Sequence, residues 1–347
     1  MATPIRTGII GFGLSGRVFH APFVSTNRDF QLALIATSDP GRRALASSRY
    51  PDAEVVASPD DLLARAAELD LVVLASPAHT HLEQGLAALK AGAAVVVDKP
   101  FAPSVAAAEA LIAAAAAVRR PLIVFHNRRW DGDFLTVKKL IASGALGDVT
   151  RFESTFERWA GPRQDRWQDT TTPAQGAGIT FDIGSHLIDQ ALQLFGPVAR
   201  LHAELRIGRA GGVSDDDAFV SLLHESGVRS HLTMSSIAAL SGPRFRVLGT
   251  AGAYSVTGLD PQEAALDSGM LPTDDDYGLS PADAFGELSD GRSRSAVPTE
   301  RGDYPAFYAG VAGAIRGERP LPVDPLDALE VVRTIERIHH EFPAAAV

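Results

Sequence analysis

Two side chains that can hold or move a proton stand four residues apart in TFDIGSHLIDQ, residues 180–190. The segment is typical of a helix, and four residues make about one helical turn, so Asp182 and His186 are predicted to share a face. Asp189 and Gln190 belong to the same stripe, which lacks the Lys, Arg and Glu common on solvated helices. A solvated amphipathic helix is the alternative, but this composition favours a ligand-binding face.

A glycine-rich turn lies near the start of the chain, in IRTGIIGFGLSGRVFHAPF, residues 5–23. Gly11, Gly13 and Gly16 follow a strand pattern and open a helix pattern, the arrangement in which a backbone turn and a helix N-terminus hold a pyrophosphate. The alternative is a tight turn without a ligand. The predicted cofactor contacts of the turn are Gly11, Phe12, Gly13, Leu14, Ser15 and Gly16.

Polar or turn-forming residues also follow two later strand patterns. VVVDKPF, residues 95–101, ends a β-branched run with Lys99 and Pro100. Ligands of open α/β sheets lie beyond the carboxyl ends of the strands, so Lys99 is predicted to point at a ligand rather than to be an ordinary surface lysine. Ser76 and Pro77 end the preceding run and are predicted to turn beneath the cofactor, which Lys99 and Pro100 would also contact.

The choice of dinucleotide depends on IATSDPGRR, residues 35–43. Ser38, Arg42 and Arg43 offer a hydroxyl and two guanidiniums, which suit the 2′-phosphate of NADP. In the alternative register, Asp39 would bind the ribose hydroxyls and the cofactor would be NAD. The sequence favours NADP and leaves NAD possible.

The first 125 residues alternate short β-branched runs with longer helical patterns, which predicts an α/β Rossmann domain, a doubly wound parallel sheet covered by helices. Residues 126–347 contain several strand patterns, which predict a second, α+β domain with a mainly antiparallel sheet. Residues 260–303 are rich in Gly, Pro, Ser and Asp and are predicted to be loop with short helical pieces.

Composition narrows the class of protein. The chain has 347 residues, 46% hydrophobic, with a net charge of −10 and no cysteine. Net negative charge argues against nucleic acid or anionic membrane as a partner, and the absence of cysteine excludes disulfides and thiolate metal sites. No residue cluster predicts a metal. A cytoplasmic protein without a membrane span is the expectation.

The motifs GFGLSG, DKP and GITFDIGSH together resemble the Gfo/Idh/MocA oxidoreductases over nearly the whole chain. GLSGRVFHAPF and FDIGSHLIDQALQLFG look most like the NADP-dependent scyllo-inositol dehydrogenase branch. One departure is Asp98, where the family more often has Glu before Lys-Pro. The resemblance implies that residues 126–347 form a substrate-binding and oligomerisation domain, whose open sheet carries the substrate site and makes a homodimer or homotetramer. It also implies that Lys99, Asp182 and His186 form the catalytic group.

The resemblance implies oxidation of a secondary hydroxyl of a cyclitol or sugar. His186 would be the general base, Asp182 would orient it or hold a neighbouring hydroxyl, and Lys99 would stabilise the developing alkoxide. This requires an ammonium from one domain and an imidazole from the other to meet across a shared cleft.

Substrate contacts are predicted in two further segments. Asn127 and Arg129 follow the sixth strand pattern, and Arg166 and Trp167 lie in a polar, aromatic loop. Each could instead be a packing or surface residue. The alternatives for the whole chain are an aldose (glucose or xylose) dehydrogenase, a cofactor-binding transcriptional co-regulator without catalysis, and reduction of a carbonyl substrate by the same residues.

Overall fold

The computed structural model describes residues 3–161 and 170–346 and divides the chain into two compact units. The first unit comprises Met1–Asn127, Gln262–Tyr277 and Asp303–Leu329. The second comprises Arg128–Pro261, Gly278–Gly302 and Glu330–Val347.

A six-stranded parallel sheet in the order β3-β2-β1-β4-β5-β6 forms the centre of the first unit. Its strands are β1 Ile5–Ile10, β2 Phe30–Ala36, β3 Glu54–Val56, β4 Leu71–Leu74, β5 Ala94–Asp98 and β6 Leu122–Phe125. Each falls within or beside one of the β-branched runs of the sequence. Every residue of β4, β5 and β6 is buried, because helices cover both faces of such a sheet. The predicted Rossmann fold is confirmed.

Helices connect these strands. A π-helical segment, Ser15–His20, follows the glycine turn and runs into α1, Ala21–Thr26. The other helices of this part of the chain are α2 Pro40–Arg49, α3 Pro59–Leu63, α4 His81–Lys90 and α5 Val105–Val118.

The second unit contains a mixed nine-stranded sheet in the order β14-β13-β12-β11-β7-β10-β9-β8-β15. Its strands are β7 Val149–Glu157, β8 Val198–Ile207, β9 Asp217–His224, β10 Arg229–Ser235, β11 Phe245–Gly249, β12 Ala253–Val256, β13 Gly286–Ser289, β14 Arg294–Val297 and β15 Ala345–Ala346. The pairs β7–β10 and β8–β15 are parallel and the remaining pairs are antiparallel, so the predicted mainly antiparallel sheet is confirmed.

One face of this sheet packs on helices. Alternate residues of β9 are buried, as expected for a sheet with one covered face. The helices of the rest of the chain are α6 Gly132–Ala142, α7 Ser185–Phe195 (preceded by a π-helical segment, Thr180–Gly184), α8 Gln262–Asp267, α9 Tyr304–Ile315 and α10 Pro325–Glu341. The second unit's core includes Phe134 of α6, Leu187 of α7 and Ile335 of α10.

Residues 260–303 differ from the predicted loop. They contain α8, but also β13 and β14, which pair as an antiparallel hairpin at the sheet edge. Asp290 and Gly291 form its turn: Asp290 accepts backbone hydrogen bonds from Arg292 and Ser293 at 2.8 Å, and Gly291 has a φ of +84°. An Asp-Gly pair is a strong hairpin signal, but polar four-residue strands beside it hid the pattern.

The structure also divides the chain differently from the contiguous domains 1–125 and 126–347. Residues 262–277 and 303–329 belong to the first unit. Gln262 accepts the backbone N–H of Tyr304 at 2.9 Å, and the Tyr308 ring stacks on Phe23 at 5.9 Å. Such contacts join residues far apart in the chain, so local sequence patterns do not reveal them.

No helix among the described residues is long and apolar enough to cross a membrane.

Candidate functional site

Two glycines of the glycine-rich turn are required by close backbone packing. Gly11 has a φ of +97°, and a Cβ there would lie 2.4 Å from the carbonyl oxygen of Ala75. A Cβ on Gly16 would lie 1.9 Å from the carbonyl oxygen of Gly11. The turn is therefore held against the carboxyl ends of β1 and β4, where a parallel sheet binds its ligand.

The remaining residues of the turn fit a phosphate. A Cβ on Gly13 would meet no atom nearer than 3.5 Å, and that atom is a guanidinium nitrogen of Arg42. The Ser15 hydroxyl is buried and has no hydrogen-bond partner among the described residues. A buried hydroxyl normally has a partner, and a phosphate oxygen at this turn would supply one. The residues present therefore fit a dinucleotide pyrophosphate.

The segment after β2 bears on the choice between NADP and NAD. Asp39 is the N-cap of α2: its Oδ1 accepts the backbone N–H of Arg42 at 2.7 Å. The cap commits one carboxylate oxygen to the helix, as is usual for Asp at this position. Ser38 and Arg42 are exposed and Arg43 is half-buried. The arrangement leaves a hydroxyl and the Arg42 guanidinium, the latter beside Gly13, available to an anion.

Lys99 follows β5 in a turn anchored by buried groups. The Lys99 backbone N–H donates to Oδ1 of Asp98 at 2.8 Å, and that oxygen lies 4.0 Å from Nε2 of His20. Nδ1 of His20 is hydrogen-bonded to the Tyr308 hydroxyl at 2.7 Å. Burial lowers the pKa of His20 to about 4, although Asp98 acts in the opposite direction. His20 is therefore neutral at pH 7, and the Asp98 carboxylate that accepts the Lys99 N–H lies beside this buried ring.

A second buried histidine joins the ends of two strands. Nε2 of His81 lies 2.8 Å from the carbonyl oxygen of Ser76, and Nδ1 lies 3.2 Å from that of Phe101. Burial lowers the pKa of His81, and a neutral imidazole has one N–H, so the ring donates to one of these carbonyl oxygens and packs against the other. The Ser76 hydroxyl itself donates to Gln84 at 2.6 Å.

In the second unit, Asp182 lies within the π-helical segment that precedes α7. A π-turn is wider than an α-turn, so the 3.6-residue period used for the sequence does not hold here, and such turns are frequent at functional sites. Oδ2 of Asp182 lies 3.0 Å from the guanidinium of Arg158, at the end of β7. The side chains of Arg158 and Asp182 are 50% and 38% exposed, so a ligand can reach this ion pair.

His186 follows in the first turn of α7 and is only 4% exposed. Its neighbours fix the helix closely against the sheet, since a Cβ on Gly184 would lie 2.8 Å from the sulfur of Met234 in β10. The hydroxyl of Ser185 is buried without a hydrogen-bond partner among the described residues. The imidazole of His186 is thus held in a largely dry environment.

The rest of the polar stripe on α7 is structural. Asp189 accepts two hydrogen bonds from Arg129, at 2.8 and 2.6 Å, and both residues are buried. Gln190 donates to the carbonyl oxygen of Arg128 at 2.9 Å and accepts from Arg244 at 2.9 Å. The stripe lacks basic residues of its own because guanidiniums from other elements complete it.

The structure places the predicted site residues in two groups. The predicted cofactor residues and Asn127, which is buried, lie in the first unit, as does Lys99. Asp182, His186 and Arg129 lie in the second. Arg129 is 9% exposed and paired with Asp189, and its assignment to substrate stays a prediction. Arg166 and Trp167 lie outside the described residues.

Several residues of the site carried no recognised sequence signal. Arg158 stands only eight positions before the singled-out Arg166, and Asp215 belongs to the acidic run SDDD, which suggests a solvated edge. Asp215 is instead 2% exposed. His20 was hidden within the helix after the glycine turn. Within residues 3–161 and 170–346, no group of three His, Asp or Glu side chains is arranged to hold a metal ion.

Family models match both parts of the chain. A model described as "Oxidoreductase family, NAD-binding Rossmann fold" matches residues 5–126. A second, described as "GFO/IDH/MocA C-terminal domain", matches residues 134–255. The glycine turn, the Lys99 turn and the helix of Asp182 and His186 all fall within these ranges.

Individual proteins agree with the family models. The chain is 38% identical to the uncharacterized oxidoreductase YdgJ of Escherichia coli (strain K12), covering 97% of this chain and 96% of that protein. It is 34% identical to scyllo-inositol 2-dehydrogenase (NADP(+)) IolW of Bacillus subtilis (strain 168), covering 96% and 92%. The solved structure of yvaA from Bacillus subtilis has a TM-score of 0.88 at 34% identity, covering 96% of this chain and 94% of that chain. This chain is an oxidoreductase of the Gfo/Idh/MocA family, with an NAD-binding Rossmann domain.

Proposed function

We propose that this oxidoreductase oxidises a secondary hydroxyl of a cyclitol or sugar, with a scyllo-inositol-type polyol as the preferred substrate and NADP as the preferred cofactor. The observation that carries the proposal is the Arg158–Asp182 ion pair, which is partly exposed and whose Asp182 stands four residues before the buried His186. Carboxylate oxygens and guanidinium N–H groups can bind the several hydroxyls of a polyol. The relative IolW, named as a scyllo-inositol 2-dehydrogenase, supports the same class.

Each of three side chains has a chemical task in the reaction. His186 takes the hydroxyl proton of the substrate, and the low exposure of its imidazole keeps competing water away. Asp182 accepts a hydrogen bond from a neighbouring substrate hydroxyl while Arg158 holds its carboxylate. The ammonium of Lys99 stabilises the alkoxide that forms as the proton leaves. When bound, the nicotinamide supplies the hydride acceptor.

The preference for NADP is supported by the use of Asp39 as a helix cap. A free carboxylate at this place would favour the ribose diol of NAD, whereas Asp39 Oδ1 is hydrogen-bonded to the Arg42 backbone. The Arg42 guanidinium, beside Gly13, and the exposed Ser38 offer charge-assisted and neutral hydrogen bonds to a 2′-phosphate.

The test is a substrate panel read by the absorbance of the reduced nicotinamide. The purified protein is mixed with scyllo-inositol, myo-inositol, glucose or xylose and with NADP or NAD. Reduction of NADP, fastest with a cyclitol, is the expected result. Faster turnover of glucose or xylose would replace the cyclitol with an aldose. Tight NADP binding without reduction by any of the four would contradict the proposal.

A further inference from the structure

Outside the proposed catalytic group, two buried side chains and one half-buried histidine meet at the start of the helix that carries it. The hydroxyl of Thr180 donates to Oδ2 of Asp215 at 2.9 Å. The same hydroxyl oxygen lies 2.7 Å from Nε2 of His339, on α10. All three residues belong to the second unit, and they come from separate parts of the chain. Thr180 is 0% and Asp215 2% exposed, and their polar atoms are engaged with one another and with the backbone.

The hydrogen bonds of this group define one proton arrangement. Thr180 has a single hydroxyl proton, and when Asp215 accepts it, the Thr180 oxygen can only accept from His339. His339 therefore carries a proton on Nε2. Burial lowers the pKa of His339, with Asp215 opposing, which favours the neutral imidazole.

Asp215 also holds the backbone at the start of the helix. Its Oδ2 accepts the backbone N–H of Thr180 at 2.9 Å, and its carbonyl oxygen accepts that of Ile179 at 2.8 Å. These donors stand at the start of a helical segment, where backbone N–H groups lack partners within the helix. The carboxylate and carbonyl of Asp215 thus fix two consecutive residues, Ile179 and Thr180, and only Phe181 separates them from Asp182.

Close packing around Asp215 and His339 leaves little room for the Thr180 segment to move. Gly178 has a φ of +107°, and a Cβ there would lie 2.2 Å from Oδ1 of Asp215. The ring of Phe181 stacks on His339 at 5.6 Å with an interplanar angle of 15°. A displacement of Thr180 would therefore be transmitted directly to Asp182, two residues further along.

We propose that Asp215, Thr180 and His339 form a positioning triad that sets the orientation of Asp182 and His186. The inference rests on the proposed function, in which those two side chains act on the substrate. The triad touches neither substrate nor cofactor. It acts by holding the π-helical turn in one conformation, and misplacement of a reacting group by about 1 Å can cost about a hundredfold in rate.

The test compares two identical substitutions. Thr180→Val removes the triad's hydroxyl, and Thr136→Val is the matched control. Thr136 is 1% exposed, lies in the same unit, donates to the carbonyl oxygen of Gly132 at 2.7 Å and accepts from the Glu300 backbone at 2.8 Å. Thr180→Ser, which keeps the hydroxyl, is the rescue variant. His339→Phe keeps a ring against Phe181 without the donor and serves if Thr180→Val does not fold.

Thr180→Val is expected to lower kcat with the polyol by about ten- to a hundredfold, with the KM for NADP changed less than about twofold. Thr180→Ser is expected to restore most of the rate, and His339→Phe to lower it in the same direction. Thr136→Val is expected to lower Tm by about as much as Thr180→Val does, because both remove a buried hydroxyl. Its kcat is expected to stay within about twofold of the wild-type value. A normal kcat in Thr180→Val, or an equal loss in Thr136→Val, would overturn the triad.

A second readout separates this inference from the proposed function. The imidazole nitrogens of His186 are followed by NMR in protein labelled with ¹⁵N-histidine and assigned with His186→Asn. If the wild-type protein oxidises nothing in the panel, the proposed function fails, and the triad is judged from this signal alone. A shifted His186 signal in Thr180→Val but not in Thr136→Val supports positioning, and an unchanged signal in both overturns it.

Discussion

The guanidinium of Arg158 and the carboxylate of Asp182 form an ion pair of 3.0 Å, and each side chain stays partly exposed. Exposed ion pairs contribute little to stability, commonly below about 1 kcal/mol, so this pair matters through what it presents to a ligand. Asp182 lies four residues before His186, so in the proposed function this pair supplies charge and hydrogen bonds to a substrate held by the proposed base.

Arg158→Gln is therefore expected to lower kcat/KM for the polyol by about tenfold or more, because it removes a charge-assisted hydrogen bond. The Tm should barely change. Steady-state kinetics and thermal unfolding measure the two quantities. Arg246→Gln is the control, because Arg246 is also paired on the second unit's sheet, with Glu153 at 3.2 Å and with 44% of its side chain exposed. Equal losses in both variants would refute a specific role for Arg158.

Arg42→Gln is expected to raise the KM for NADP by about ten- to a hundredfold and to leave the KM for NAD nearly unchanged. The reason is that a guanidinium binds the 2′-phosphate through charge-assisted hydrogen bonds, and NAD lacks that group. Arg49→Gln, in the last turn of the same helix, is the control. A wild-type preference for NAD, or equal effects of Arg42→Gln on both cofactors, would assign NAD instead.

His20 is expected to make the protein less stable in mild acid. Burial lowers its folded-state pKa to about 4, below the unfolded value of about 6.5, so the unfolded chain binds the proton more readily. This contribution is fully present above about pH 6.5 and is lost as the pH falls towards 4. Between about pH 7.5 and 5 the loss should be about 2 kcal/mol.

Urea unfolding of the wild type and of His20→Gln at both pH values measures this contribution. The loss of unfolding free energy between the two pH values should be about 2 kcal/mol smaller in His20→Gln than in the wild type. Tyr308→Phe, which removes the 2.7 Å hydrogen bond but keeps the imidazole, should retain most of the pH dependence. The same pH dependence in His20→Gln as in the wild type would show that other groups cause the acid instability.

The Arg129–Asp189 pair is expected to be strongly coupled. Removal of one partner by Arg129→Met or Asp189→Asn leaves a buried group without its pairing and should cost about 3–5 kcal/mol of unfolding free energy. The double variant should cost clearly less than the sum of the two. Denaturant unfolding of the wild type, the two single variants and the double variant gives the coupling energy. Strictly additive losses of unfolding free energy would contradict the expected coupling.

Much of the fold follows from local patterns. The parallel strands β4, β5 and β6 were predictable because each is a short apolar run, which is what burial on both faces of a sheet requires. The glycine turn was predictable because Gly11 and Gly16 meet backbone oxygens that exclude a Cβ. Local patterns could not predict that residues 262–277 and 303–329 belong to the first unit, because this depends on packing between distant segments.

The helix of Asp182 and His186 shows the same limit within the candidate site. The absence of Lys, Arg and Glu indicated that its polar stripe is not an ordinary solvated face. It did not tell which residues of the stripe would be held by buried partners. Asp189 and Gln190 are satisfied by Arg129 and Arg244, 60 and 54 positions away. The wider π-turn, and Asp215 beneath it, likewise depend on tertiary contacts that no local spacing records.

The proposed function requires Lys99 and His186 to serve one hydride-transfer reaction. Single-turnover and steady-state oxidation of scyllo-inositol by NADP, in wild type, Lys99→Ala and His186→Ala, tests it most directly. Each variant should keep its Tm and its affinity for NADP within about threefold while kcat falls by about a hundredfold or more. Near-normal turnover in both variants would contradict the assignment of these residues to the chemistry.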